Sequence, residues 1–200
     1  ADDVASAPAS RRSDRRGVAG LALAYKVGGA AAAEGASLDE VALAIENLNA
    51  NMASMGVGLS PTILPAAGEP TFTLDEGEME IGIGIHGERG VRRGLIETAD
   101  SIADELFSTT SADLGLKNGD SVAVLINGLG ATPLEELYLL FRRVSQRCSD
   151  AGITVERTYV GEYATSLEMA GASLTLVRLD DSLRRLLLAP ASSPFVGARL

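Results

Sequence analysis

The chain has 200 residues, of which 46% are hydrophobic, 4% aromatic and 22% charged, with 22 glycines and a formal net charge of -10. That length suits one domain able to bury about 70% of its unfolded surface, and the aliphatic, glycine-rich balance is that of a compact α/β protein rather than a disordered one. The acidity argues against nucleic acid or an anionic membrane as partner, and a single cysteine, Cys148, beside a single histidine, His86, excludes an intrachain disulfide, a CxxC redox pair and the usual zinc ligand sets.

Residues 1–15 carry Ala, Ser, Asp and Arg without periodicity and are expected to form a flexible lead-in, with Arg11, Arg12, Arg15 and Arg16 as solvated linker. Arg15-Arg16 ahead of the apolar stretch Gly17 to Ala33 superficially matches an export signal. Lys26 interrupts its apolar centre, and the stretch is too short and glycine-rich to span a bilayer, so the expectation is a buried helix in a cytoplasmic protein. Helices are expected over 17–34 and 38–54, the second opened by the capping box Ser37-x-x-Glu40. Short strands over 56–64 and 71–74 flank the Pro65-Ala-Ala-Gly-Glu-Pro70 loop.

Glu78-Met-Glu-Ile-Gly-Ile-Gly-Ile-His86 alternates like a strand, with Met79, Ile81, Ile83 and Ile85 on one face and Glu80, Gly82, Gly84 and His86 on the other. His86 is thereby expected at a strand end, with two glycines on its own face leaving room for a ligand or another backbone. A loop over 87–94 leads to a helix over 95–110. Ser121 to Ile126 is a continuous apolar run, as in a strand covered on both faces. Asn127-Gly-Leu-Gly130 is a turn lacking a dinucleotide or Walker fingerprint. Thr132-Pro-Leu-Glu135 reads as a second capping box, opening a helix to Gly152. Strands near 153–160 and 172–179 and a short helix from Asp181 complete the pattern. The expected architecture is α/β, a single domain over 16–200 with a mixed β-sheet flanked by helices, mixed because the last strands lack a helical crossover.

Taken alone, a histidine at a strand end is more often structural than catalytic. Glu78 and Glu80, two apart on one face, are conceivable as an acid/base pair but more readily solvated, and Ser166 has no local base.

Four segments in order, Pro65-Ala-Ala-Gly-Glu-Pro-Thr-Phe-Thr-Leu74, Glu78 to Glu88 with its Gly-Ile-His-Gly-Glu core, Gly128-Leu-Gly-Ala-Thr-Pro-Leu-Glu-Glu-Leu-Tyr138 and Thr165-Ser-Leu-Glu-Met-Ala-Gly171, resemble the dihydroxyacetone (glycerone) kinase family in its substrate-binding K subunit or domain. The similarity runs from about Arg15 to Pro190. It implies that His86 is the catalytic, substrate-binding residue, bonded through a ring nitrogen to the carbonyl carbon of a short ketose as a hemiaminal. Gly82, Gly84 and Gly87 would then give steric room, and Glu88 would orient the ring or its loop. Such a tether favours ketones and aldehydes over glycerol and holds a terminal hydroxyl for phosphorylation.

The resemblance further implies that this chain binds no cofactor or metal itself and that a nucleotide-bearing kinase subunit or domain supplies ATP with magnesium, or ADP recharged by a phosphotransferase relay. Only the second half of the family's K unit is matched. The first half, which contributes a second histidine and an aspartate, has no counterpart here and would be a further partner, and a homodimer is the expected assembly. Arg89 stands where the family usually has proline. An alternative is a kinase-like ligand sensor that keeps the carbonyl-binding histidine to regulate another protein.

Overall fold

The computed structural model describes residues 1–193 and 197–198. In chain order its elements are α1 (Gly20–Ala33), α2 (Leu38–Ala50), β1 (Met52–Gly58), β2 (Glu78–Ile81), β3 (Arg92–Leu95), α3 (Ala99–Leu114), β4 (Ser121–Gly128), α4 (Leu134–Asp150), β5 (Thr154–Gly161), β6 (Gly171–Arg178), α5 (Asp181–Leu188), β7 (Ala191–Ser192) and β8 (Gly197–Ala198). The C-terminal limit of the 16–200 range lies outside the described residues. Six strands form one mixed sheet in the order β3-β2-β1-β6-β4-β5, in which β4 and β5 pair in parallel across the α4 crossover and the other neighbours are antiparallel. The α/β expectation of a mixed, helix-flanked sheet therefore holds.

Strand alternation sets the layers. In β4, Val122, Val124 and Ile126 pack with Ile102, Leu106 and Phe107 of α3 and Leu137 and Val144 of α4, while Ala123 and Leu125 face the other side, with Leu23 and Val27 of α1, Leu48 of α2 and Leu183 of α5. A strand buried on both faces is what its continuous apolar run requires. The helices begin where local chemistry lets them. Ser37 and Glu40 form the expected reciprocal capping box, Thr98 caps α3 and Gly115 ends it in a left-handed conformation at φ +61°, and Asp180 caps α5. Among the described residues no helix is long and apolar enough to cross a membrane.

The structure corrects several local expectations. Residues 1–15 are not a lead-in. Asp2 and Asp3 are each only 1% exposed, and the Val4 amide donates to the Ser54 carbonyl at 2.9 Å while the Ser54 amide donates to the Asp2 carbonyl at 2.7 Å, laying this segment along β1. The Asp2 carboxylate accepts from the Val18 and Gly20 amides, both at 3.0 Å, and so caps α1 from a distance. Arg15 grips Asp113 with two nitrogens at 2.9 and 2.6 Å and Arg12 joins at 2.8 Å, so these arginines are structural rather than solvated. Their hydrogen bonds and charge hold the Asp113 carboxyl below the usual carboxylate range.

The second helix stops at Ala50, and the chain passes at once into β1, with Met52 to Gly58 fully covered. No strand forms over 71–74, and ahead of it Ile63 and Pro70 make only an isolated bridge. The loop expected over 87–94 instead contains most of β3, an edge strand. The second capping box is absent because Thr132 is committed elsewhere: its hydroxyl donates to the Gly171 carbonyl at 2.7 Å and accepts from the Gly171 amide at 2.8 Å, leaving Pro133 at the helix start without a side-chain cap.

Candidate functional site

β2 ends at Ile81 because Gly82 turns into the left-handed region at φ +80°. Its amide donates to the Gly56 carbonyl at 2.6 Å, and the chain then closes a small loop on itself. The Gly84 amide donates to the Glu88 carbonyl at 2.9 Å, the Gly87 amide to the Gly84 carbonyl at 3.1 Å, and the His86 amide to Glu88 Oε2 at 3.0 Å. His86 therefore lies inside a hydrogen-bonded loop and not at a strand end, which corrects the alternation reading. It is exposed, and its ring makes no hydrogen bond among the described residues.

Glu88 holds the histidine's backbone rather than its ring. The glycines likewise leave room for the protein's own atoms. A Cβ on Gly84 would collide with the Glu88 carboxylate and lie 3.0 Å from Arg16 Nη1, one on Gly87 would sit 2.5 Å from Thr71 Oγ1, and one on Gly82 would sit 2.7 Å from Ala5 Cβ. With φ +81° at Gly87, both its conformation and its clearance demand glycine. These three residues shape the loop that presents the ring; the space beside them is already filled.

Distant segments fix the loop. Arg16 Nε donates to Asp3 Oδ2 at 2.8 Å and its Nη2 donates to the Gly82 carbonyl at 3.0 Å, tying the amino-terminal segment to the turn that starts the loop. Burial outweighs Arg16 and keeps the Asp3 carboxyl above its ordinary value. On the other side Glu80, 3% exposed, accepts from the Gly90 amide at 2.6 Å and from Arg93 Nη2 at 2.7 Å. Burial alone would raise its pKa, but the Arg93 guanidinium and the Gly90 amide together hold it low. Glu78 is separately engaged, accepting from the Asp75 amide, so the two carboxylates are loop braces and not an acid/base pair.

The four sequence segments converge at the end of the sheet marked by Gly58, Gly128 and Gly171. Thr71 packs on Gly87, Glu168 accepts from the Ile63 amide at 2.6 Å and from Thr62 Oγ1 at 3.1 Å, and Gly130 bridges Met169. The Ile63 amide holds the Glu168 carboxyl below its usual range. Asn127 fastens the facing turn, its Oδ1 accepting from the Tyr163 and Ala164 amides at 2.8 Å, and Ser166 is buried. A cleft of about 590 Å³ adjoins Gly87, the residue after His86, and is lined by Thr71, Gly87, Arg89, Arg92 and Arg93 among others, but not by His86 itself. Among the described residues no group of three or more His, Cys, Asp or Glu could hold a metal ion.

Sequence reasoning missed Asp3, Arg16 and Arg93, whose only signal lies in contacts far along the chain. Glu80 was legible as sharing the histidine's face of the alternation, although not as a clamp.

A Dak1 domain profile matches residues 1–195. The chain is 46% identical over 194 residues to the "PTS-dependent dihydroxyacetone kinase 2, dihydroxyacetone-binding subunit DhaK" of Listeria innocua, covering 97% of this chain and 58% of that protein. It is 44% identical over 197 residues to the "L-erythrulose 1-kinase" of Mycolicibacterium smegmatis, covering 96% of this chain and 34% of that protein. Among solved structures, the "Dihydroxyacetone kinase operon co-activator Dha-DhaQ" superposes with a TM-score of 0.85 at 35% identity, over 94% of this chain and 59% of the other. The chain thus spans little more than half the length of the dihydroxyacetone-binding subunit it matches.

Proposed function

Because this chain belongs to the Dak1 domain family, we propose that it is the substrate-holding part of a dihydroxyacetone-kinase-type phosphotransferase and that His86 carries a short ketose as a covalent hemiaminal. The observation that carries this reading is an exposed imidazole with no hydrogen-bond partner among the described residues, on a loop whose backbone is tied down by Glu88, Arg16 and Gly56. A ring walled in by side chains, or one whose unprotonated nitrogen already accepts a hydrogen bond, could not bring that nitrogen's lone pair to a carbonyl carbon.

The chemistry follows from that geometry. The unprotonated ring nitrogen adds to the carbonyl carbon and the C=O π pair moves onto oxygen. That oxygen takes up a proton while the other ring nitrogen gives one up, so the adduct is neutral and consumes no co-reactant. The tether converts phosphorylation into a step between fixed groups. A terminal hydroxyl oxygen bonds to the terminal phosphorus of a nucleotide held by another domain or subunit, the bond from that phosphorus to the diphosphate oxygen breaks, and the hydroxyl proton passes to a base from the first half of the K unit. Dihydroxyacetone and erythrulose both present the required ketone, and the likeness to kinases of each leaves both as substrates.

The test is 13C NMR with dihydroxyacetone labelled at its carbonyl carbon. A tetrahedral-carbon signal distinct from that of the free ketose hydrate and carrying the protein's linewidth is expected with the native chain and not with His86→Ala; its absence from the former or survival in the latter overturns the proposal.

The co-activator likeness favours a second reading, in which the same adduct reports ketose to a regulatory partner. Reconstitution with the nucleotide-bearing subunit and the first half separates the two, since a sensor binds ketose without phosphorylating it.

A further inference from the structure

The cleft that begins at Gly87, the residue after His86, has a charge pattern that the ketose does not explain. It is lined by three arginines, Arg89, Arg92 and Arg93, against one carboxylate, Glu80, in a chain whose net charge is -10. Two of the three are committed: Arg93 to Glu80 at 2.7 Å, and Arg92 to Glu97 at 2.9 Å and to Glu105. Arg89 is close enough to Glu80 to lower that carboxyl's pKa, yet among the described residues it makes no hydrogen bond or ion pair.

Its backbone is nevertheless well fixed. The preceding residue carries the Glu88 carbonyl that accepts from Gly84, and the following one, Gly90, donates its amide to Glu80. A Cβ on Gly90 would run into the Ile81 carbonyl, so the loop is pressed against the end of β2 at this point. An uncommitted guanidinium three residues from the ring, projected from a braced loop into a polar cleft, has the form of an anion receptor. Its planar fork matches two phosphate oxygens, and the Thr73 hydroxyl offers a further donor, whereas that of Thr71 is given to the Thr62 carbonyl at 3.2 Å.

Resting on His86 as the ketose anchor, we propose that this cleft is a phosphoryl subsite in which Arg89 binds the oxygens of a phosphate group, either the donor's terminal phosphate or that of the ketose phosphate product. A neutral triose has no use for the positive charge, whereas the group transferred to it carries negative charge throughout. The braces on Arg92 and Arg93 also explain why Arg89 alone is singled out: they hold the cleft's walls while it remains free.

Two measurements test this separately from the anchor. Inorganic phosphate is titrated calorimetrically, at fixed ionic strength, into the native chain, Arg89→Ala and Arg89→Lys, with the labelled-carbonyl NMR signal recorded on each. Arg89→Ala should weaken phosphate binding at least about tenfold, and Arg89→Lys less, while the adduct signal persists in both. Equal phosphate affinity in Arg89→Ala and the native chain overturns the subsite, whereas loss of the adduct signal from the native chain overturns the anchor instead. In the reconstituted kinase, a raised KM for the nucleotide-loaded subunit in Arg89→Ala assigns the site to the donor, and weakened inhibition by dihydroxyacetone phosphate alone assigns it to the product. A kinase unchanged in both respects overturns the proposal.

Discussion

At the residue scale, the loop around His86 depends on side chains that are small or charged for definable reasons. Gly87 combines φ +81° with a Cβ position 2.5 Å from Thr71 Oγ1, so Gly87→Ala is expected to cost about 1–3 kcal/mol and to lower ketose affinity, measured by urea unfolding and by the carbonyl NMR titration. An alanine variant as stable as the native chain would show that Thr71 gives way freely. Glu80 makes a prediction about pH. The Arg93 guanidinium and the Gly90 amide hold its folded pKa below the ordinary value of 4.5, so the stability it contributes is present above about pH 4.5 and is lost as pH falls through the lower folded value. Glu80→Gln should therefore be less stable than the native chain at pH 7, by about 1.5–3 kcal/mol for a charge-assisted pair, with the gap narrowing toward pH 3. A gap that is constant with pH would rule out this ion pair as its source. The alternation of residues 78–86 revealed Glu80's face but not Arg93, because a cross-strand partner depends on where β3 lies.

At the scale of elements, local signals succeeded where their side chains had no stronger tertiary offer. Ser37-x-x-Glu40 caps α2 at an exposed site, whereas the same spacing at Thr132 does not, because Gly171 on β6 supplies both a donor and an acceptor to that hydroxyl in a buried setting. Thr132→Ala takes the hydroxyl from the Gly171 amide and leaves the Gly171 carbonyl only the Leu129 amide at 3.2 Å, and is expected to cost about 2 kcal/mol, while Thr132→Ser should keep most of the stability. Thermal melting reads this as about 2–4 °C per kcal/mol for a chain of this size, and equal melting of the two variants would dismiss the bond. The strand expected through His86 fails for a related reason. Period-two patterning continues past Ile81, but Gly82 turns the backbone, sending its amide to Gly56 and folding Ile83 back over Gly58.

At the scale of the whole molecule, the amino-terminal segment and the site form one mechanical unit. Asp2 caps α1, residues 2–4 pair with Ser54, and Arg16 links buried Asp3 to the Gly82 carbonyl. Arg16→Ala should cost about 3 kcal/mol by leaving a buried carboxylate unpaired and should speed amide exchange over residues 82–88. Adding Asp3→Asn should restore part of the stability but not the slow exchange, since the Gly82 carbonyl still lacks its donor. Unchanged exchange in Arg16→Ala would mean that the strap does not steady the loop. The sequence by itself determined the α/β class, the doubly covered strand β4, the capped helix α2 and the motif segments around His86, because apolar period, capping spacing and family resemblance are written in neighbouring residues. Only the tertiary structure decided that residues 1–15 are part of the fold, that the glycines accommodate Glu88, Thr71 and Ala5, and that Arg89 is left uncommitted. Those outcomes depend on which distant groups meet, and a buried carboxylate or a free guanidinium is defined by its surroundings rather than by its place along the chain.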